Sequence, residues 1–161
     1  MMRPAYPAVT RVKAAAGAVV LLLLAGCASE ARLLSATHQL AIHQARTASA
    51  DGLQPMRDRH SGARVWVNPQ TLLTERDVAT SELAMTPDGE PAVIITLTDR
   101  GRAILAELTR QSLLQPLAIV VDGELRLAPI VREPVFDGRV ALTGFDSLEE
   151  AEALVHDWDR R

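Results

Sequence analysis

The sequence predicts an α+β fold in which two helices pack on one face of a mainly antiparallel sheet, over residues 38–161. Two observations carry this. Turn signals at Asp51-Gly52, Ser61-Gly62, Pro87-Asp88-Gly89-Glu90 and Asp122-Gly123 separate short apolar runs, several of them rich in β-branched residues, the pattern of strands joined by tight turns. Two later segments, opening at Thr98 and Ser147, instead place apolar residues at helical spacing, each giving a stripe that a sheet face can cover. A ferredoxin-like arrangement is compatible with this order of elements, but strand order is not legible in it.

Along the chain, residues 38–45 read as a strand with Leu40 and Ile42 on one face and Gln39 and His43 on the other. A helix over residues 30–46 stays open, because Leu33, Thr37, Leu40 and Ala41 also align. Val65-Trp66-Val67 predicts a strand that Asn68-Pro69 ends, and Thr74 with Asp77 predicts a capped turn. Residues 81–86 and 92–97 flank the Pro87-Asp88-Gly89-Glu90 turn as a hairpin. Thr98-Asp99 begins a helix that buries Gly101, Ile104, Leu105 and Leu108, and Pro116 follows its end. Residues 117–121 are apolar on both faces, as a central strand should be, and the type I′ chemistry of Asp122-Gly123 turns them into residues 124–128. Residues 139–142 give another strand. Ser147 with Glu150 predicts a capping box, and Leu148, Ala151, Val155 and Trp158 form the stripe of a last helix.

Ahead of this domain stand three basic side chains (Arg3, Arg11, Lys13), no acid, and an uncharged run over residues 14–26. This is a signal-peptide layout. Its strongly apolar part covers residues 14–24, well short of the roughly 20 residues a membrane-crossing helix needs. Leu24-Ala25-Gly26-Cys27 then resembles the lipobox of bacterial lipoproteins, and Cys27 is the only cysteine in the chain. Residues 1–26 are therefore expected to be a signal peptide, Cys27 the lipid-attachment site, and residues 27–37 a lipidated tether. Ala28 and Ser29, with no Asp after the cysteine, resemble lipoproteins sorted to the outer membrane, so the expected place is the envelope, with the domain in the periplasm.

Removing 26 residues from 161 leaves 135, holding 14 basic and all 20 acidic side chains, a net charge of −6. Nothing there forms the basic stripe that nucleic acid demands. One modest domain fits this length and can bury a core without disulfides or metal.

The segments Leu72-Leu73-Thr74, Asp77-Val78-Ala79, Pro91-Ala92-Val93 and Leu97-Thr98 with Gly101 resemble the SecD/SecDF protein-export family. The resemblance is fullest from Leu117-Ala118-Ile119-Val120-Val121-Asp122-Gly123 to Ala128-Pro129-Ile130-Val131-Arg132-Glu133-Pro134, and continues through Gly138-Arg139-Val140, Thr143-Gly144-Phe145 and Leu148-Glu149-Glu150-Ala151. It points to the head of the first periplasmic domain. The resemblance implies a module beside emerging polypeptides, while the family's proton pathway belongs to membrane helices that these segments do not include. Arg126-Leu127 departs from the smaller polar residues usual before Ala-Pro, and Asp146-Ser147 from the usual Thr.

Catalytic chemistry is not legible. His38, His43, His60 and His156 lack the spacing of zinc ligands and read as solvated, and neither a nucleophile elbow nor a phosphate loop occurs. Glu149, Glu150 and Glu152 read as helix-start and solvent-face charges, Arg132-Glu133 as a solvated loop, and Trp66 and Trp158 as core. The expectation is no enzyme, no catalytic residue, no cofactor and no metal. Partners are the membrane through lipid and exported polypeptide or an envelope protein, with no small-molecule substrate evident. The other readings are a structural or assembly subunit binding one folded envelope protein and, further off, a hydrolase.

Overall fold

A computed structural model describes residues 38–159, so the expected signal peptide, Cys27 and the whole of the tether lie outside the described residues. Strand β1 (Leu40–Arg46) settles the open choice at the start of the domain in favour of extended chain. It alternates between two apolar environments: Leu40 and Ile42 enter the main core, and Ala45 enters a second, smaller core.

The elements that follow are β2 (Gln54–Arg57), β3 (Arg64–Val67), β4 (Leu73–Thr74), a single 3-10 turn (Glu75–Asp77), β5 (Val78–Met85), β6 (Pro91–Leu97), α1 (Asp99–Gln111), β7 (Leu117–Val121), β8 (Glu124–Leu127), β9 (Arg139–Leu142) and α2 (Leu148–Trp158). All strand pairings between them are antiparallel. They divide into a six-stranded sheet, ordered β2-β3-β1-β7-β8 with β4 also on β1, and a three-stranded sheet, ordered β5-β6-β9. The main core fills the space between Ile42, Leu117 and Ile119 of the first sheet, Val93, Ile95 and Leu142 of the second, and Leu105, Leu108 and Leu154 of the helices. Val65, Val67, Ala118, Val120 and Leu125 form the second core on the opposite face of the larger sheet. Both faces of β7 are thus covered, and all five of its residues are buried.

Local chemistry fixes the element ends. Thr74 and Asp77 cap each other reciprocally, as predicted. The Thr98 hydroxyl accepts the Gly101 N–H at 3.1 Å and starts α1. Gly101 is required by close approach: a Cβ there would stand 3.0 Å from Asp77 Cβ and O. Asp122 and Gly123 take φ of 52° and 80°, the left-handed pair of a type I′ hairpin.

Four expectations are corrected. On α2 the buried stripe is Ala151, Leu154 and Trp158, while Leu148 is exposed and Val155 half-buried, because the helix turns to the core the face that carries Leu154 and leaves the neighbouring face with Leu148 and Val155 at its margin. Ser147 caps the Glu150 N–H, but the Glu150 carboxylate reaches the Asp146 N–H at 2.9 Å and Arg126, so no reciprocal capping box forms. His43 is buried, its Nδ1 lying 3.0 and 3.1 Å from the carbonyls of Asn68 and Gln70, and is not a solvated histidine. Trp158 is core, donating from Nε1 to the His38 carbonyl at 3.0 Å, whereas Trp66 lies half-buried between Val65 and Val67, on the opposite side of its strand from the second core.

Candidate binding groove

Where the two sheets come closest to an open edge, a groove of about 310 Å³ separates β9 from the segment that continues β8. Its floor is Leu117 and Ile119 of β7 with Leu105 and Thr109 of α1. Thr109 sits on the buried face of a helix and still satisfies its hydroxyl, donating to the Leu105 carbonyl at 2.8 Å and accepting the Val135 N–H at 3.0 Å. One wall is thereby pinned to α1. The same wall follows β7: Leu117 N–H donates to Pro129 O, and Val131 N–H to Gln115 O, each at 2.9 Å. Pro129 and Pro134 lack N–H groups and resist further pairing.

The opposite wall is the outer edge of β9. Leu97 N–H donates to Gly138 O at 2.9 Å, in register with the pairing of β6 and β9. By antiparallel alternation, Val140 and Leu142 turn their peptide groups toward β6, and Ala141 turns its N–H and C=O outward. Arg139 also points outward, but its N–H is taken by the Asp137 carboxylate at 3.1 Å and its guanidinium by Glu82 at 3.0 Å. The exposed Ala141 therefore presents peptide groups that β6 does not use, beside an apolar slot. Exposed apolar side chains gather at one end: Leu113, Leu114 and Ile130 are 45%, 74% and 43% exposed. Leu114 has φ of 62°, a left-handed conformation that costs a non-glycine residue about 1 kcal/mol or more.

A second polar feature lies away from the groove. Arg126 on β8 is buried, pairs with Glu150, stands 3.4 Å from the Gly144 carbonyl and packs 5.5 Å from the centre of the Phe145 ring. Arg59 adds contacts to Glu124 at 3.1 Å and to Asp146. Burial opposes charge on Glu150, but hydrogen bonds from Arg126 and the Asp146 N–H, with the charges of Arg126 and Arg59, outweigh it and hold the carboxyl below its ordinary value. The cluster, two guanidiniums against three carboxylates, ties β8 to α2 through Arg126 and Glu150.

Of the residues singled out in the sequence, Arg132 and Glu133 line the groove rim, and Glu149, Glu152, His60 and His156 are exposed and dispersed. Among the described residues, no cluster of His, Cys, Asp or Glu is placed to hold a metal ion. Sequence reasoning missed Ala141, which carries no chemical signature, and Leu114. Its signal was an omission, since no glycine follows the C-cap Ser112 and the left-handed turn falls on Leu114 instead.

The family described as SecDF, P1 head subdomain, matches residues 52–156. The chain belongs to this family. The SecDF translocase subunit of Thermus thermophilus is 36% identical over 83 residues, which are 52% of this chain and 11% of that protein. Those of Acidaminococcus fermentans and Treponema pallidum, both SecD translocase subunits, are 33% identical over 84 residues and 36% over 88. Their matched parts cover 52% and 55% of this chain but 20% and 15% of those proteins. This SecDF head therefore spans about a tenth to a fifth of the curated relatives it matches. Among solved structures, SecDF in its super-membrane-facing form superposes with a TM-score of 0.60 at 23% identity, over 74% of this chain and 18% of the other. A second SecDF structure, of a membrane component that enhances protein export, gives 0.56 at 24% identity, over 74% and 62%. They establish a shared head fold. No helix among the described residues is long and apolar enough to cross a membrane.

Proposed function

We propose that this SecDF head is an envelope binding module, held to the membrane by lipid on Cys27, which takes up extended exported polypeptide and has no catalytic or proton-coupled translocase activity of its own. The observation that carries the reading is the outward-facing edge of β9 at Ala141, set beside an apolar groove. An added strand would bond to the Ala141 main chain and place alternate side chains in the slot, so affinity comes from peptide groups with little sequence preference. The position suits a tethered module. His38, where the preceding chain joins, lies by the Val121 end of β7, and the groove lies at the Leu117 end, about 13 Å away at strand rise. Family membership supports a place beside the export machinery, and the outer membrane is the expected anchor.

The test is a titration of the full chain with reduced, carboxymethylated lactalbumin, which stays unfolded, and with the folded protein, across a range of salt concentrations. Unfolded lactalbumin should bind and folded lactalbumin should not, with little salt dependence because the groove is apolar. Ala141→Pro removes the outward N–H at an edge position that tolerates proline and should weaken binding about tenfold, the loss of one or two hydrogen bonds. Equal binding of both forms would move the assignment to a scaffold for one folded partner.

A further inference from the structure

We infer that the β2–β3 hairpin makes a second contact with the membrane, through a face of arginines around Trp66 that rests on anionic phospholipid headgroups. Strand register assembles this face. Arg46 of β1 and Pro55 of β2 stand directly opposite Trp66 of β3, and Arg57 of β2 stands opposite Arg64 of β3. Directly paired residues of an antiparallel sheet share a face, as do residues two apart along one strand. All five side chains therefore project on one side, the reverse of that on which Val65 and Val67 enter the second core. Trp66 is half-buried there and the other four are exposed.

The charges on this face are not balanced. Arg59, Arg126 and Arg139 each find a carboxylate, whereas Arg46, Arg57 and Arg64 have no ion pair among the described residues, and Arg57 donates only to the Gly62 carbonyl, at 3.0 Å. Nearby acids do not compensate. Asp58 is buried and accepts the N–H groups of His60 and Ser61, and Asp51, which lines a cleft with Arg46, does not pair with it. Arg57 and Arg64 moreover set like charges directly across from each other, an arrangement that costs an isolated sheet stability. Residues 27–161 carry a net charge of −6, so three unpaired cations gathered on one face stand against the balance of the chain. An anionic surface outside the molecule relieves that repulsion.

Guanidinium forks match phosphate oxygens, and a tryptophan among them suits the headgroup level of a bilayer, where its ring meets both apolar and wet surroundings. The choice of a membrane over a soluble anion rests on the lipid attachment read at Cys27. The chain between Cys27 and His38 reaches at most about 35 Å, and β1 runs about 20 Å from Leu40 to Arg46 at strand rise, so a tethered domain can lie along the bilayer with this face down. The same field repels the acidic remainder of the domain, which fixes its orientation.

The experiment places the full chain on vesicles of phosphatidylcholine brominated in its acyl chains, with and without phosphatidylglycerol, and reads quenching of tryptophan emission. Trp66 and Trp158 are the only tryptophans, and Trp158 is 1% exposed, so quenching reports Trp66 at the bilayer whatever else anchors the chain. Emission should be quenched only where phosphatidylglycerol is present, recover as salt screens the contact, and lose its quenched part in Trp66→Phe. Arg46→Gln/Arg64→Gln removes two cations without partners in the domain and should shift the docked state about thirtyfold toward the free one, with an unchanged melting temperature. Equal quenching on both vesicles, or wild-type quenching in the double variant, would overturn the inference. Unquenched Trp66 on a chain that sediments with the vesicles would overturn it and leave the Cys27 anchor standing, whereas quenching that persists in a chain shown to carry no lipid would support the face and fail the anchor. Saturable binding of inorganic polyphosphate without quenching on vesicles would assign the arginines to a soluble polyanion and equally overturn the inference.

Discussion

Arg126, buried on β8, donates to Glu150 in the first turn of α2, so that a charge pair joins an edge strand of the larger sheet to a helix that packs on the smaller one. The Glu150 side chain keeps 25% exposure while that of Arg126 keeps 6%. Removing the acid therefore leaves the more deeply buried partner uncompensated. One nitrogen of Arg126, Nε, already lacks a partner, which makes the loss of Glu150 harder to absorb.

Glu150→Ala should accordingly destabilise the domain by about 3 kcal/mol, the usual cost of stranding a buried charge. The paired change Arg126→Met with Glu150→Leu should recover most of it, because burying apolar groups in place of an ion pair is commonly neutral. Urea unfolding of the single and double variants measures both. The effect has a defined pH dependence. Because the folded-state pKa of Glu150 is lowered, its contribution is fully present above the unfolded carboxylate value and is lost as pH falls through the folded one. The stability gap between wild type and Glu150→Gln should therefore be widest near neutrality and narrow in acid.

Core truncations should rank by burial. Leu108 and Leu154 are 3% and 1% exposed, and each change to alanine should cost about 3 kcal/mol. Val155, which the sequence placed on the α2 stripe where the structure has Leu154, is only half-buried, and Val155→Ala should cost about 1 kcal/mol. A reversed order in thermal or chemical denaturation would contradict the packing of α2.

Cys27→Ser should abolish incorporation of a fatty-acid label and release the protein from the membrane fraction, or leave it unprocessed. A single acyl chain anchors only marginally, and durable attachment needs more than one, so partial retention of label would point to a second attachment site. Normal labelling of the serine variant would remove the lipid from the proposed function.

Much of the fold was legible because its signals are local. A hairpin turn at Asp122-Gly123, a capped turn at Thr74, a helix cap at Thr98 and the all-apolar run of β7 each depend on residues within a few positions of one another, which is the range over which propensity and hydrogen-bond satisfaction act. By itself the sequence also determined the family, because residues that set turns and strand ends leave recurring short motifs. What it could not determine depended on residues far apart in the chain. Arg126 meets Glu150 across 24 positions and Ser81 bonds the Val155 carbonyl across 74. The division into two sheets turned a single expected layer into two edges, and only that division left Ala141 facing a groove instead of a neighbouring strand. The candidate site was decided by tertiary structure alone, since an unpaired strand edge is a property of which strands fail to meet, and no side chain need record it.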